Sequence, residues 1–156
     1  MNEMLIICQE TLDQITRHAV EHYPSEACGF LIGEKTQNSV TQFIPCKNVY
    51  DEMHAKCPET YPRTSKTAYL IDPKDQQKYF DEAEKSGVAV KAIYHSHTDH
   101  DAYFSAEDKL VAAPWGEPMY PDISYLVVSV WDKKLKEMNL FYWDSEKNDF
   151  LQQKLM

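Results

Sequence analysis

The chain is 156 residues long, 43% hydrophobic and 26% charged, a composition suited to one soluble globular domain spanning 1–156. Asp and Glu outnumber Lys and Arg by 25 to 16, and the net charge of -9 excludes the basic face that nucleic-acid and anionic-membrane binding require. No apolar run approaches the ~18 residues of a membrane span, and residues 1–10 have no basic n-region or long apolar core, so a cytoplasmic protein with reduced thiols at Cys8, Cys28, Cys46 and Cys57 is expected.

Residues 4–8 predict a short strand, and about 10–22 a helix with Leu12, Ile15, Ala19 and Val20 on one face. Thr11 and Gln14 stand at capping-box spacing, and Pro24 closes this segment. The run Cys-Gly-Phe-Leu-Ile-Gly at 28–33 predicts a buried strand, and 39–45 alternates as another. Residues 47–66 are polar, contain Pro58 and Pro62 and show no period, which predicts a long loop of the functional or mobile kind. A strand is expected over 67–71. Asp72 and Pro73 then supply an N-cap and an N1 proline for a helix ending near Gly87. The strand predicted over 88–94 runs straight into His95, Ser96 and His97. A short helix over 105–113 stops at Pro114, a hairpin is expected from 123–131 and 135–143, and 150–155 reads as a last strand or a frayed tail. Helices alternating with strands, then strands in succession, predict an α/β or α+β domain of three layers around one mixed sheet.

The chemistry concentrates between 94 and 108. His95 and His97 are two apart at a strand end, so they point to one face about 6.5–7 Å apart and can converge on a zinc ion. Taken alone, His-x-His equally suits a solvated strand end. Ser105 and Asp108 form a Ser-x-x-Asp helix start, for which a pure cap is the plain reading. The helix begins so soon after His97 that its first turn can fold back over the strand end. Asp108 would then be a third ligand with Ser105 facing the same cavity, and three protein ligands with one open position describe a catalytic zinc site. Such a site needs a base. Glu26, between Pro24 and an apolar strand, is the candidate, since partial desolvation would raise its pKa; an exposed loop carboxylate is the alternative.

Together these residues resemble the JAMM motif of the MPN+ (JAB/Mov34) metalloproteases. Glu26 precedes a Cys-Gly-x-Leu-x-Gly strand; His95-Ser-His97 is followed by seven residues, Ser105, two residues and Asp108. The order of elements also fits over most of the chain. The resemblance implies a three-layer MPN/JAB domain, cytidine-deaminase-like, with a central mixed β-sheet flanked by helices. It implies one Zn²⁺ per chain on His95, His97 and Asp108, Glu26 as general base and then acid for a zinc-activated water, and Ser105 as donor to the oxyanion. It further implies hydrolysis of peptide or isopeptide bonds after the C-terminal Gly-Gly of a ubiquitin-like or sulfur-carrier protein. Two departures stand out: Thr98 and Phe104 occupy positions where relatives usually have proline, which predicts altered loop stiffness. The 47–66 stretch is also longer than in compact bacterial relatives and would cover the site or shape substrate choice.

Two other readings compete. His95 to His100 also fits H-x-H-x-D-H, the metallo-β-lactamase signature, although no histidine follows His100 to complete a two-metal site. A non-catalytic MPN scaffold is the other. The nucleobase-deaminase and His-Glu-x-x-His patterns are absent. Cys28 reads as a buried structural thiol, His54 and Cys57 as an incidental pair, His18 and His22 as a solvated helix face, and Tyr103 and Phe104 as flanks of the metal loop that meet substrate or pack.

Overall fold

A computed structural model describes residues 4–155. In chain order these form β1 (Ile6–Ile7), α1 (Gln9–His22), β2 (Cys28–Glu34), β3 (Ser39–Val40), β4 (Gln42–Cys46), α2 (Tyr50–Lys56), α3 (Pro73–Lys85), β5 (Val88–Thr98), α4 (Ala106–Ala112), β6 (Ser124–Trp131), β7 (Lys134–Asp144) and β8 (Asp149–Lys154). Six strands make one sheet in the order β4-β2-β5-β6-β7-β8, and β1 pairs with β3 apart from it. Only β5 and β6 run parallel within the six; the other pairs are antiparallel, so the sheet is mixed as expected.

Alternation along the strands divides the core into two faces. Ala27, Leu31, Tyr94, Leu126, Val128 and Leu140 face one way and bury Leu12, Ile15 and Ala19 of α1. Phe30, Ile93, Tyr125, Val127 and Phe141 face the other, against Tyr79 and Phe80 of α3 and Ala112 of α4. Helices on both faces of a mixed sheet are the predicted three layers. Gly33 lets the chain cross β2 closely: a Cβ there would sit 1.9 Å from the Ser39 carbonyl oxygen.

Four sequence expectations are corrected. The N-cap of α1 is Cys8, which makes no side-chain cap bond; Thr11 lies inside the helix with its hydroxyl 3.2 Å from Cys8 Sγ. The 39–45 strand is broken into β3 and β4, which pair with different partners. The 47–66 stretch carries α2, a helix with no buried residue and so no apolar period to betray it. Asp51 and Glu52 in its first turn and His54 and Lys56 in its last suit the helix dipole. Residues 67–71 form no strand, only an isolated bridge from Ile71 to Asn48. By contrast α3 begins as expected, with the Asp72 carboxylate accepting from Lys74 N at 2.9 Å, and 149–154 pairs with β7 as a strand. No helix among the described residues is long and apolar enough to cross a membrane.

Candidate metal centre

The register of β2 on β5 assembles the centre. Cys28 pairs with His95, and one step on, Ala27 and Ser96 exchange two hydrogen bonds: Ser96 N donates to the Ala27 carbonyl at 2.9 Å and Ala27 N donates to Ser96 Oγ at 2.7 Å. The same alignment sets Glu26 opposite His97. Opposed residues of an antiparallel pair share a face, so Glu26, Cys28, His95 and His97 all lie on the α3–α4 side of the sheet. The serine between the histidines faces the other way and ties the Glu26 segment to their strand.

Asp108 arrives from α4. Ser105 is its N-cap in a complete capping box: Asp108 N donates to Ser105 Oγ at 3.0 Å and Ser105 N donates to Asp108 Oδ2 at 3.1 Å. The cap fixes the aspartate and turns Oδ2 toward the histidines. His95 Nε2 lies 3.3 Å from Asp108 Oδ2, His97 Nε2 lies 3.5 Å from it, and the two Nε2 atoms are 3.2 Å apart. Ligands at zinc bond lengths of about 2.0–2.1 Å in tetrahedral directions stand about 3.3 Å from one another. The three donor atoms therefore match the edges of one tetrahedral face, and the donor set of two imidazoles and a carboxylate fits zinc. Among the described residues this is the one group of three or more His, Cys, Asp or Glu side chains arranged for a metal ion.

Surrounding groups orient the donors. His97 Nδ1 lies 2.7 Å from the Asp101 carbonyl, which can only accept, so Nδ1 carries the hydrogen and Nε2 is left bare for a metal. Tyr69 stacks on His95 with ring centroids 4.3 Å apart, and His100 stacks on His97 at 4.1 Å. Burial works against the Asp108 charge, but the His95 and His97 rings beside it and the bond from Ser105 N hold its carboxyl well below the usual carboxylate range. Glu26 is 3% exposed. Burial pushes its carboxyl up to about 8, with His97 and Arg63 pulling down and Asp108 pushing up. Its backbone is held by Ser65, whose carbonyl accepts from Glu26 N at 2.7 Å, and by Asn48, whose amide donates to the Glu26 carbonyl at 2.9 Å.

The remaining sequence candidates separate clearly. Asp99 and His100, needed by the H-x-H-x-D-H reading, are otherwise engaged: Tyr23 donates to both Asp99 oxygens at 2.8 and 2.7 Å, and His100 Nδ1 meets the Thr98 carbonyl at 2.9 Å. Cys28 is buried, and burial pushes its thiol well above the ordinary value, as for an inert core cysteine. His54 turns to the Tyr61 carbonyl and Cys57 to Thr60, with no third ligand among the described residues. His18 is not solvated as expected; it is half-buried between Phe43 and Tyr94, with Nδ1 3.2 Å from the Tyr94 hydroxyl. Tyr103 is half-exposed edge-on to His97, whereas Phe104 packs on Phe141 in the core. Thr98 donates to the Lys66 carbonyl at 2.7 Å and thereby ties the strand end to the 47–66 segment. A cavity of about 540 Å³ lined by Lys35, Asn38, Lys91 and Tyr142 lies at the opposite end of β5 and does not touch this centre.

Sequence reasoning passed over Asn48, Tyr69, Ser129, Glu137 and Asn139. The only signal for the last three was polarity on a strand face otherwise filled by Val127, Phe141 and Trp143.

Residues 9–144 match the family described as prokaryotic homologs of the JAB domain. The chain is 28% identical over 138 residues to the CysO-cysteine peptidase of Mycobacterium tuberculosis, spanning 88% of this chain and 82% of that one. It is 30% identical over 129 residues to the desampylase of Haloferax volcanii, spanning 80% of each. Its fold is similar to that of AF2198, a JAB1/MPN domain protein from Archaeoglobus fulgidus, with a TM-score of 0.54 at 13% identity over 99% of this chain and all of that one.

Proposed function

This chain belongs to the prokaryotic homologs of the JAB domain and is a peptidase, and we propose that it is a zinc-dependent hydrolase of conjugates made by a ubiquitin-like or sulfur-carrier protein. The bond it cuts is the peptide or isopeptide bond after that partner's C-terminal Gly-Gly. The convergence of His95 Nε2, His97 Nε2 and Asp108 Oδ2 within 3.5 Å, on the sheet face that also carries the buried Glu26, is the observation that supports this most strongly. Relatives named for releasing cysteine from CysO and for desampylation support the class of substrate. The four free thiols suit a cytoplasmic site of action.

His95, His97 and Asp108 would hold one zinc ion. Bound there, zinc supplies Lewis-acid polarisation of the scissile carbonyl and lowers the pKa of the water nucleophile. Glu26 in its ionised form takes the proton from the attacking water, and burial makes that carboxylate a stronger base. It then gives the proton to the leaving amine nitrogen as the C–N bond breaks. Ser105 Oγ already accepts from Asp108 N, so its own hydrogen is free to donate to the oxygen that gains charge. No acyl-enzyme forms.

The test uses zinc-loaded protein and a ubiquitin-like protein ending in Gly-Gly, joined in turn to a single amino acid, a linear peptide and a lysine side chain. Mass spectrometry is expected to show cleavage after the second glycine in at least one. Glu26→Gln should retain zinc and lose kcat by about 10²–10⁴-fold. No cleavage of any of the three by zinc-loaded wild type, or full turnover by Glu26→Gln, would overturn the proposal.

A further inference from the structure

Beyond the proposed ligands and base, a row of polar side chains on β6 and β7 reaches under the loop that follows His97. Ser129 pairs with His97 on one side and Glu137 on the other; Val127 pairs likewise with His95 and Asn139. Ser129, Glu137 and Asn139 therefore share the face of the two histidines, where an apolar strand residue would serve packing better. Each grips the 100–102 backbone. Ser129 Oγ donates to the His100 carbonyl at 2.6 Å, the Glu137 carboxylate accepts from Ala102 N at 2.9 Å, and Asn139 Nδ2 donates to the Ala102 carbonyl at 2.9 Å.

Between His100 and Ala102 sits Asp101, whose carbonyl accepts the His97 Nδ1 hydrogen. Asn139 is 3% exposed, and its Oδ1 finds no partner among the described residues. A buried amide with one half unsatisfied is unfavourable for stability alone, and its satisfied half is spent on this loop. We propose that Glu137 and Asn139 are positioning residues for the metal centre: they clamp Ala102 from both sides, which holds the Asp101 carbonyl where it keeps His97 in the Nδ1–H form with Nε2 facing His95 and Asp108. Partners of this kind act on ligand orientation and tautomer, and losing one weakens metal affinity about 10–100-fold. The inference rests on the proposed role of His97 as a ligand.

The experiment compares wild type with Glu137→Met, Asn139→Leu and Glu137→Gln. Zinc affinity is measured by chelator competition, and the His97 ring nitrogens are observed by NMR in the metal-free protein. Glu137→Met and Asn139→Leu should bind zinc 10–100-fold more weakly and lose the Nδ1–H signature of His97. Glu137→Gln keeps an oxygen acceptor for Ala102 N and should stay within about threefold of wild type, which separates the hydrogen bond from the charge. Should Glu137→Met not fold, Ser129→Ala takes its place with the same expectation. Wild-type affinity in both apolar variants, or equal losses in Glu137→Gln and Glu137→Met, would overturn the assignment while leaving the zinc site intact. If wild type takes up no zinc, the ligand role itself fails, and the ring spectrum decides alone: an unchanged His97 signature in the apolar variants overturns the clamp.

Discussion

Glu26→Gln should change how stability depends on pH in the metal-free protein. Burial lifts the Glu26 carboxyl from an ordinary 4.5 to about 8. At about 1.4 kcal/mol per pH unit, ionising it in the folded chain is about 5 kcal/mol harder than in the unfolded chain. Below pH 4.5 both states hold the proton and the residue has no effect. Between 4.5 and 8 only the folded chain still holds it, so stability falls as pH rises, and the loss is complete above 8. Glutamine has nearly the same shape and no charge to desolvate. In urea unfolding with a chelator present, the variant should gain about 3 kcal/mol on wild type between pH 5.5 and pH 9. His18 titrates alike in both proteins, and Asp108 stays ionised throughout this range. Parallel stability curves would mean that the Glu26 carboxyl is not desolvated, and the basicity that burial lends it would go with it.

Asp108→Ala removes a donor atom and half of the α4 capping box together. Elemental analysis should show zinc lost, with thermal stability lower by about 1 kcal/mol; one zinc per chain in the variant would remove Asp108 from the ligands. Asn48→Ala gives up bonds to the Glu26 and Ala68 carbonyls and from the Tyr50 and Leu70 amides. It should cost about 3 kcal/mol and speed hydrogen exchange over 47–71, and unchanged exchange there would refute its role as the tie. Gly33→Ala would force a Cβ to 1.9 Å from the Ser39 carbonyl oxygen, whereas Gly87→Ala, at φ 73° with no atom within 4 Å, bears only backbone strain. The first should cost about 3 kcal/mol or more and the second about 1; the reverse order in urea titrations would contradict the close crossing at β3.

How far the site was legible depended on how local its signals are. His95 and His97 are read from strand period, Ser105 and Asp108 from a capping box four residues long, and Asp72-Pro73 announces α3 in two. The same locality misled at Thr11, whose spacing mimics a cap inside a helix already begun at Gln9. It failed for α2, which buries nothing, and for 67–71, whose one bridge depends on Asn48, more than twenty residues earlier.

By itself, then, the sequence determined α1, α3 and the β6–β7 hairpin, the His-x-His face and the capped turn that carries Asp108, because each is set by the residues' own neighbours. Tertiary structure alone decided that β2 meets β5 in the register that sets Glu26 opposite His97, that Tyr69 covers His95, and that Glu137 and Asn139 grip Ala102. Those contacts join positions some 25 to 70 residues apart in the chain. No local propensity encodes such a pairing; it is selected only when both sheet faces bury their apolar side chains at once, which leaves a single register open to the polar ones.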